Sequence, residues 1–174
     1  KEVMEPVVKA LAAEGNPFKG MLYAGLMVTP SGIKVLEFNC RFGDPEAQVI
    51  LPLLKADFSE LMLKTVNGQI SKTADIWEKK SSVGVVVAAR GYPGTYRKVF
   101  EVEGLDTMDP EVLVFHAGTR RKDGPNSGFV TTMGRVLTVV AQGTNLEDTR
   151  KLVYDNLQRV FFSGCQYRKD IALQ

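Results

Sequence analysis

The sequence lacks the features that mark several large classes of protein. It has no run of 18 apolar residues, so no segment is long enough for a membrane-spanning helix. Its two cysteines, Cys40 and Cys165, are too few for a disulfide framework or a cysteine-rich zinc site, and we expect both to be reduced, as in a cytoplasmic protein. A net charge of +2 gives no strong field for nucleic acid.

The start of the chain carries neither a methionine nor a signal peptide: it begins at Lys1, and residues 1–5 are charged and apolar. We expect that the chain begins inside something longer or has been trimmed. Its 174 residues, 44% hydrophobic and 24% charged, have ordinary globular composition, with room for one large domain or two small ones.

Hydrophobic spacing near the start predicts a helix followed by a β-hairpin. The helix should stop at 15–17, where Gly-Asn-Pro breaks the pattern. The apolar run 21–29 predicts a buried central strand, and Thr-Pro-Ser-Gly at 29–32 is good turn chemistry. Residues 33–41 then predict a second strand, antiparallel to the first.

Capping residues predict two further helices. Asp44 is a suitable N-cap and Pro45 suits the first helical position, so a short helix should run from there towards Pro52. Asp57 and Glu60 have capping-box spacing for the next helix.

The remainder predicts a strand-rich unit with one late helix. Residues 69–82 are polar and mixed in charge, and we place a boundary there, with one domain over 1–72 and the next over 80–174. Thr144 and Glu147 have capping-box spacing for the late helix. The strands predicted in this unit are 83–89, 112–117 and 135–141.

The segment most suited to chemistry is the second hairpin strand. Alternate side chains of a strand point to opposite faces, so Glu37, Asn39 and Arg41 should share one face. A carboxylate and an amide oxygen there can hold one Mg²⁺, and the guanidinium can fork onto a phosphate held by that ion. The side chains of the opposite face, which are expected to fill a core, are Leu36, Phe38 and Cys40.

Spacing alone leaves a structural interpretation open. The same Glu-x-Asn-x-Arg pattern also occurs on the solvated face of an edge strand, and Asp44 is equally a plain helix cap. Gly43 allows close backbone approach, and the helix start after it would suit an anion. The single histidine, His116, is expected to have a hydrogen-bonded structural role rather than a catalytic one.

Longer motifs in a fixed order narrow these possibilities, among them Glu-Phe-Asn-Cys-Arg-Phe-Gly-Asp-Pro-Glu at 37–46. The others lie at 20–27, 91–94, 115–119, 134–137 and 167–171. Together they closely resemble the phosphoribosylamine–glycine ligase (glycinamide ribonucleotide synthetase) family over nearly the whole chain. The resemblance implies an α+β fold: the C-terminal part of an ATP-grasp domain, followed by a small strand-rich domain with one late helix.

The resemblance also implies an activity, the ATP-dependent joining of glycine to 5-phosphoribosylamine through glycyl phosphate in purine biosynthesis. ATP is the co-substrate and Mg²⁺ (or Mn²⁺) the cofactor. By resemblance, Glu37 and Asn39 are metal ligands, and Arg41 is the catalytic residue that steadies the transferring phosphoryl group. The residues that the resemblance assigns to the substrate pocket are Gly43, Asp44, Pro45 and Glu46.

The stretch 22–26 lacks the acidic metal ligand that many other ATP-grasp enzymes carry on this strand, but its Tyr-Ala-Gly pattern is similar to that of the ligase family and supports the resemblance. The family's N-terminal domain and nucleotide-clamping lobe are absent, so we expect little activity from the chain alone and exposed apolar surface where the rest of the same enzyme would bind. Two alternatives stay open: another ATP-grasp carboxylate–amine ligase, and a non-catalytic domain of a multifunctional chain.

Overall fold

The structure is a computed structural model that describes residues 1–70, 75–124 and 127–173. Its described part divides into two units: Lys1–Ala47 with Leu54–Trp77, and Gln48–Leu53 with Glu78–Gln174. The boundary predicted at 69–82 falls partly on residues 71–74, which lie outside the described residues, so the two predicted domain ranges stay a prediction.

The first unit consists of helices and one strand pair. Its elements are α1 (Met4–Ala13), β1 (Tyr23–Thr29), β2 (Gly32–Asn39), the beginning of α2 (Glu46–Ile50) and α3 (Phe58–Val66). The strands β1 and β2 pair antiparallel, which confirms the predicted hairpin. Helix α3 has the predicted cap, because the Asp57 side chain accepts a 2.8 Å hydrogen bond from the Glu60 backbone amide.

Helix α2 begins one residue later than the capping pattern predicted. It starts at Glu46, while Asp44 and Pro45 form a turn whose peptide bond is cis. The Ala47 amide donates to the Gly43 carbonyl at 3.0 Å. Asp44 therefore does not stand directly before the helix, and α2 gives way at Ile50 to a single 3₁₀ turn, Leu51–Leu53.

One irregularity interrupts the hairpin. Gly25 pairs with Glu37, but the next β1 residue, Leu26, pairs with Val35. Leu36 is therefore an extra residue in β2, a β-bulge, which locally bends a strand and re-aims side chains. Both metal-ligand candidates lie beyond this bulge.

Both faces of the hairpin are largely exposed among the described residues. In β1 only Gly25 is buried, while Leu36 and Phe38 are 64% and 40% exposed, and Cys40 is exposed. The predictions of a buried central strand and of a core at Leu36, Phe38 and Cys40 are thus wrong for this chain. A two-stranded sheet can bury an apolar face only against another layer of structure. Because these apolar side chains are exposed, the prediction of exposed apolar surface is confirmed.

Among its described residues, the second unit contains two antiparallel sheets, one complete helix and the end of α2, and it is rich in strands as predicted. Its elements are β3 (Ser81–Ala89), β4 (Glu101–Val102), a 3₁₀ turn (Leu105–Thr107), β5 (Leu113–His116), β6 (Thr119–Arg121), β7 (Phe129–Thr131), β8 (Arg135–Gly143), α4 (Leu146–Leu157) and β9 (Cys165–Gln166). One sheet has the order β5-β8-β3-β9 and the other β4-β7-β6.

The core of this unit lies between β3, β8 and α4. Alternate valines of β3 are buried, and Val153 and Leu157 of α4 are almost fully inaccessible. The cap of α4 is Asn145 rather than the predicted Thr144: Asn145 Oδ1 accepts from the Asp148 amide at 2.9 Å. Asparagine is a stronger N-cap than threonine, which fits the shift by one residue.

The segment Gln48–Leu53 groups with this core although it precedes the predicted boundary. A Cβ at Gly84 would overlap the Val49 side chain, so Val49 can pack against β3 only because residue 84 is glycine.

None of the described helices is long and apolar enough to cross a bilayer.

Candidate functional site

The strand β2 brings Glu37 and Asn39 together. Asn39 Nδ2 donates a 2.9 Å hydrogen bond to Glu37 Oε1, so both side chains lie on one face, as predicted. Across the hairpin, Gly25 faces Glu37, and a Cβ at Gly25 would be 3.1 Å from Glu37 Cγ. The absence of a side chain at Gly25 leaves room for the Glu37 side chain.

The donor chemistry of this pair fits a hard cation. Mg²⁺ takes oxygen ligands, with one or two carboxylates from the protein and the rest from phosphate and water. Asn39 directs its nitrogen towards Glu37, so a cation shared by both residues requires the amide to turn its oxygen inwards. In the part of the chain that the structure describes, no group of three or more acidic, histidine or cysteine side chains could hold a metal. A cation here would depend on oxygen atoms from its other ligands.

Arg41 lies just past the end of β2, which stops at Asn39. Its Nη1 donates to the Phe42 carbonyl at 2.9 Å, and the side chain is exposed. The strand alternation that predicted a common face for all three residues therefore holds for Glu37 and Asn39, whereas Arg41 is held by local backbone.

The loop after β2 folds the Glu46 carboxylate back over Gly43. A Cβ at Gly43 would overlap Glu46 Oε2, so the side-chain position requires glycine there. Glu46 Oε1 accepts a 3.1 Å hydrogen bond from the Tyr23 hydroxyl. The structure thus brings together two of the four predicted pocket residues, Gly43 and Glu46, while Asp44 and Pro45 form the turn between them.

Tyr23 is a site residue that the sequence predictions missed. It pairs with Asn39 across the hairpin. The hydrogen bond to Glu46, the charge of Glu46, burial and the charge of Glu37 all raise the pKa of Tyr23, so the phenol stays protonated and remains a donor. Without a bulge, the turn at 29–32 would pair Asn39 with Leu22. The sequence therefore did not predict that Tyr23 lies opposite Asn39.

A packing contact fixes the loop within the first unit. The rings of Phe42 and Phe58 lie 6.4 Å apart, which anchors the residue after Arg41 on helix α3. This aromatic contact connects the segment that carries Gly43 and Glu46 to helix α3.

His116, in the second unit, forms a side-chain hydrogen bond, as the sequence indicated. Its Nδ1 is 2.9 Å from Thr119 Oγ1, and its ring centroid lies 4.2 Å from that of Phe129. Burial, together with the positive charge of Arg121, lowers the pKa of His116, so the ring is neutral at pH 7.

Comparison with known sequences places both units in one enzyme family. The sequence model of the phosphoribosylglycinamide synthetase C domain matches residues 82–174, and that of the ATP-grasp (A) domain of the same synthetase matches residues 1–47. The candidate site therefore lies within the ATP-grasp match.

Individual relatives agree with this. A phosphoribosylamine–glycine ligase of Caldanaerobacter subterraneus subsp. tengcongensis is 49% identical over 99% of this chain and 40% of its own length. The trifunctional purine biosynthetic protein adenosine-3 of Gallus gallus is 48% identical over 98% of this chain and 17% of its own length.

A solved structure has a similar fold. The crystal structure of phosphoribosylamine–glycine ligase from Thermotoga maritima has a TM-score of 0.75 and 37% identity over 94% of this chain and 39% of its own. The chain thus spans about 40% of the length of the single-function relatives it matches.

Proposed function

This chain belongs to the phosphoribosylglycinamide synthetase family, and we propose that it is part of a longer ATP-dependent ligase that joins glycine to 5-phosphoribosylamine in purine biosynthesis. The observation that carries the proposal is the Glu37–Asn39 pair, a carboxylate and an amide in contact on the hairpin of the ATP-grasp match. In this proposal the rest of the enzyme supplies the other part of the nucleotide site, and the enzyme works in the cytoplasm.

Within this proposal, Glu37 and Asn39 are the residues that would hold Mg²⁺ or Mn²⁺. The ion, when bound, neutralises negative charge on the phosphates during transfer to glycine. Glu37 supplies negative charge to the ion, and the Asn39 carbonyl adds a neutral oxygen after its amide turns. Gly25, which faces Glu37 across the hairpin, leaves room for the Glu37 side chain to bind the ion.

Arg41 is the proposed catalytic cation. A guanidinium stays charged at any physiological pH and can bind two phosphate oxygens at once. Exposed at the end of β2, it exchanges its hydrogen bond to the Phe42 carbonyl for the transferring phosphoryl group and the acyl phosphate. Its contribution is charge stabilisation and positioning, which dominate phosphoryl transfer.

The segment Gly43, Asp44, Pro45 and Glu46 forms the proposed wall for glycine and phosphoribosylamine. Tyr23 holds the Glu46 carboxylate in place through its hydroxyl. A fixed carboxylate suits the ammonium group of glycine or the amine of the second substrate, because either is a hydrogen-bond donor.

The test is ADP release by the full-length protein that contains this chain. We expect release that requires glycine and phosphoribosylamine together. Release with a different carboxylate and amine, and none with these two, would instead establish another ATP-grasp ligase. An absence of Mg²⁺-dependent nucleotide binding would establish a non-catalytic domain.

A further inference from the structure

Residues 163–173 follow the last core residue of the second unit and lie on its surface. Phe162, directly before them, is fully buried, whereas none of the residues 163–173 is buried. Within these residues the only regular element is the two-residue strand β9. The segment is therefore attached by a small number of contacts, which is typical of a part of a protein that can open locally.

Two side chains of α4 hold the far end of this segment by its backbone. Arg150 donates from Nε to the Ile171 carbonyl at 3.0 Å and from Nη2 to the Lys169 carbonyl at 2.7 Å. The Tyr154 hydroxyl donates to the Arg168 carbonyl at 2.8 Å and accepts from the Ile171 amide at 3.2 Å. These bonds depend on the path of the backbone, so they form only when the segment lies along α4.

The near end of the segment is held at the end of β3. Strand β9 pairs with β3, and the Arg90 amide donates to the Gly164 carbonyl at 2.7 Å. The Gln166 side chain donates to the Ala89 carbonyl at 3.2 Å. A cavity of about 530 Å³ lies at this point, and Ser163 and Gly164 form part of its lining. Movement of the segment away from β3 therefore opens one side of the cavity.

Two features of the segment make its release less costly. Ala172 has a φ of 55°, a left-handed conformation that is unfavourable for a residue with a Cβ. That cost disappears when the segment leaves α4, since the backbone is then free to adopt ordinary conformations. The 2.7 Å ion pair between Arg168 and Asp170 is exposed and lies within the segment, so it opposes release little.

We propose that residues 163–173 form a latch, which opens as one piece while the core of the second unit stays folded. Phe162 is the fixed point before the latch, and Arg150 and Tyr154 fasten its far end. Because the same short backbone joins both attachments, release from α4 also loosens the pairing with β3 and opens the cavity. The latch is a property of the second unit and does not depend on the ligase activity.

The test is hydrogen exchange of the full-length protein, followed by mass spectrometry. In the parent, amides at Arg90 and Ile171 should have similar protection, because both lose their acceptors when the latch opens, and amides in the middle of β8 should be protected far more. Tyr154→Phe keeps the ring but removes both hydroxyl bonds. It should speed exchange at Arg90 roughly tenfold, although the hydroxyl binds the other end of the latch.

A second pair of variants supplies the matched control. Arg150→Gln and Lys151→Gln remove the same charge from neighbouring positions of α4, but Lys151 pairs with Asp155 of its own helix and not with the latch. Arg150→Gln should speed exchange at Arg90, and Lys151→Gln should change it less than about twofold.

Two results would overturn the proposal. If Tyr154→Phe and Arg150→Gln speed exchange at Ile171 but not at Arg90, the segment frays one residue at a time and does not open as one piece. If exchange in the middle of β8 rises by the same factor as at Arg90, the whole unit unfolds and there is no separate latch. Because hydrogen exchange needs none of the components of ligation, a protein without ligase activity can still confirm the latch.

Discussion

The amide nitrogen of Asn39 donates a 2.9 Å hydrogen bond to Oε1 of Glu37, two residues earlier on the same strand. This contact joins the only carboxylate of β2 to an amide that can itself bind a cation through its oxygen. Beside it, Tyr23 pairs with Asn39 and binds Glu46. Tyr23 thus connects the proposed metal-binding pair with the proposed substrate wall.

Glu46→Gln should lower the pKa of Tyr23 towards that of an ordinary phenol. The hydrogen bond to Glu46 and its negative charge are the two largest causes of the raised pKa, and glutamine removes the charge. NMR titration of ring-labelled tyrosine in the full-length protein measures this. Glu147→Gln, at the start of α4, is the matched control and should leave the Tyr23 titration unchanged.

Gly43→Ala should have the same effect on Tyr23 without altering any charge. The added methyl group would overlap the Glu46 carboxylate, and that flexible side chain must swing away from the tyrosine. Because only a side-chain end moves, the loss of stability should stay below about 1 kcal/mol. Gly128→Ala adds the same methyl where the nearest atom is 4.0 Å away. If the two variants titrate alike, Gly43 has no part in placing Glu46.

Val99→Gly should stabilise the second unit. Val99 has a φ of 66°, a left-handed conformation that a β-branched residue adopts at a cost of about 1–3 kcal/mol. Its side chain is 67% exposed, so little burial is lost, and its amide keeps the 2.8 Å bond to the Thr131 carbonyl. After the greater chain entropy of glycine is subtracted, we expect a gain of about 1 kcal/mol by urea denaturation.

Val99→Ala is the control for that measurement. Alanine shortens the side chain but keeps a Cβ at the same positive φ, so it should recover only part of the gain. A Val99→Gly protein that is no more stable than the parent would show that this conformation carries no strain.

Asp109→Asn should make the stability of the protein less dependent on pH in the acid range. Asn156 and Arg159 donate hydrogen bonds of 2.9 and 2.8 Å to the Asp109 carboxylate, and they lower its pKa. The contribution of the Asp109 carboxylate to the free energy of unfolding is therefore complete above its pKa in the unfolded chain, about 3.9. It is lost as the pH falls through the lower pKa of Asp109 in the folded protein. Melting temperatures between pH 5 and 2 measure this.

The parent protein should lose melting temperature more steeply below about pH 4 than Asp109→Asn does, since the variant has no proton to take up at this position. Asp106→Asn, an exposed residue three positions earlier, should follow the parent curve. Parallel curves for all three proteins would contradict the role of Asp109.

The elements that the sequence predicted well are those governed by local chemistry. The turn at 29–32 follows from proline and glycine, and the cap at Asp57 from a side chain that reaches its own helix. The contact between Glu37 and Asn39 follows from strand alternation.

The failures have non-local causes. The bulge at Leu36 depends on how two strands pair, so the partnership of Tyr23 with Asn39 was invisible. The exposure of Phe38 and Cys40 depends on which layers cover the hairpin, which an apolar pattern does not specify. Arg41 departs from the alternation because β2 ends two residues before it.

The proposed metal-binding role of Glu37 and Asn39 can be measured by ADP release from the full-length protein with ATP, glycine and phosphoribosylamine over a range of Mg²⁺ concentrations. Asn39→Ala should lower release on the order of 100-fold and raise the Mg²⁺ concentration needed for half-maximal rate. Asn16→Ala, which removes an exposed amide elsewhere in the same unit, should match the parent. An Asn39→Ala protein that keeps the parent rate and Mg²⁺ dependence would show that Asn39 does not hold the metal.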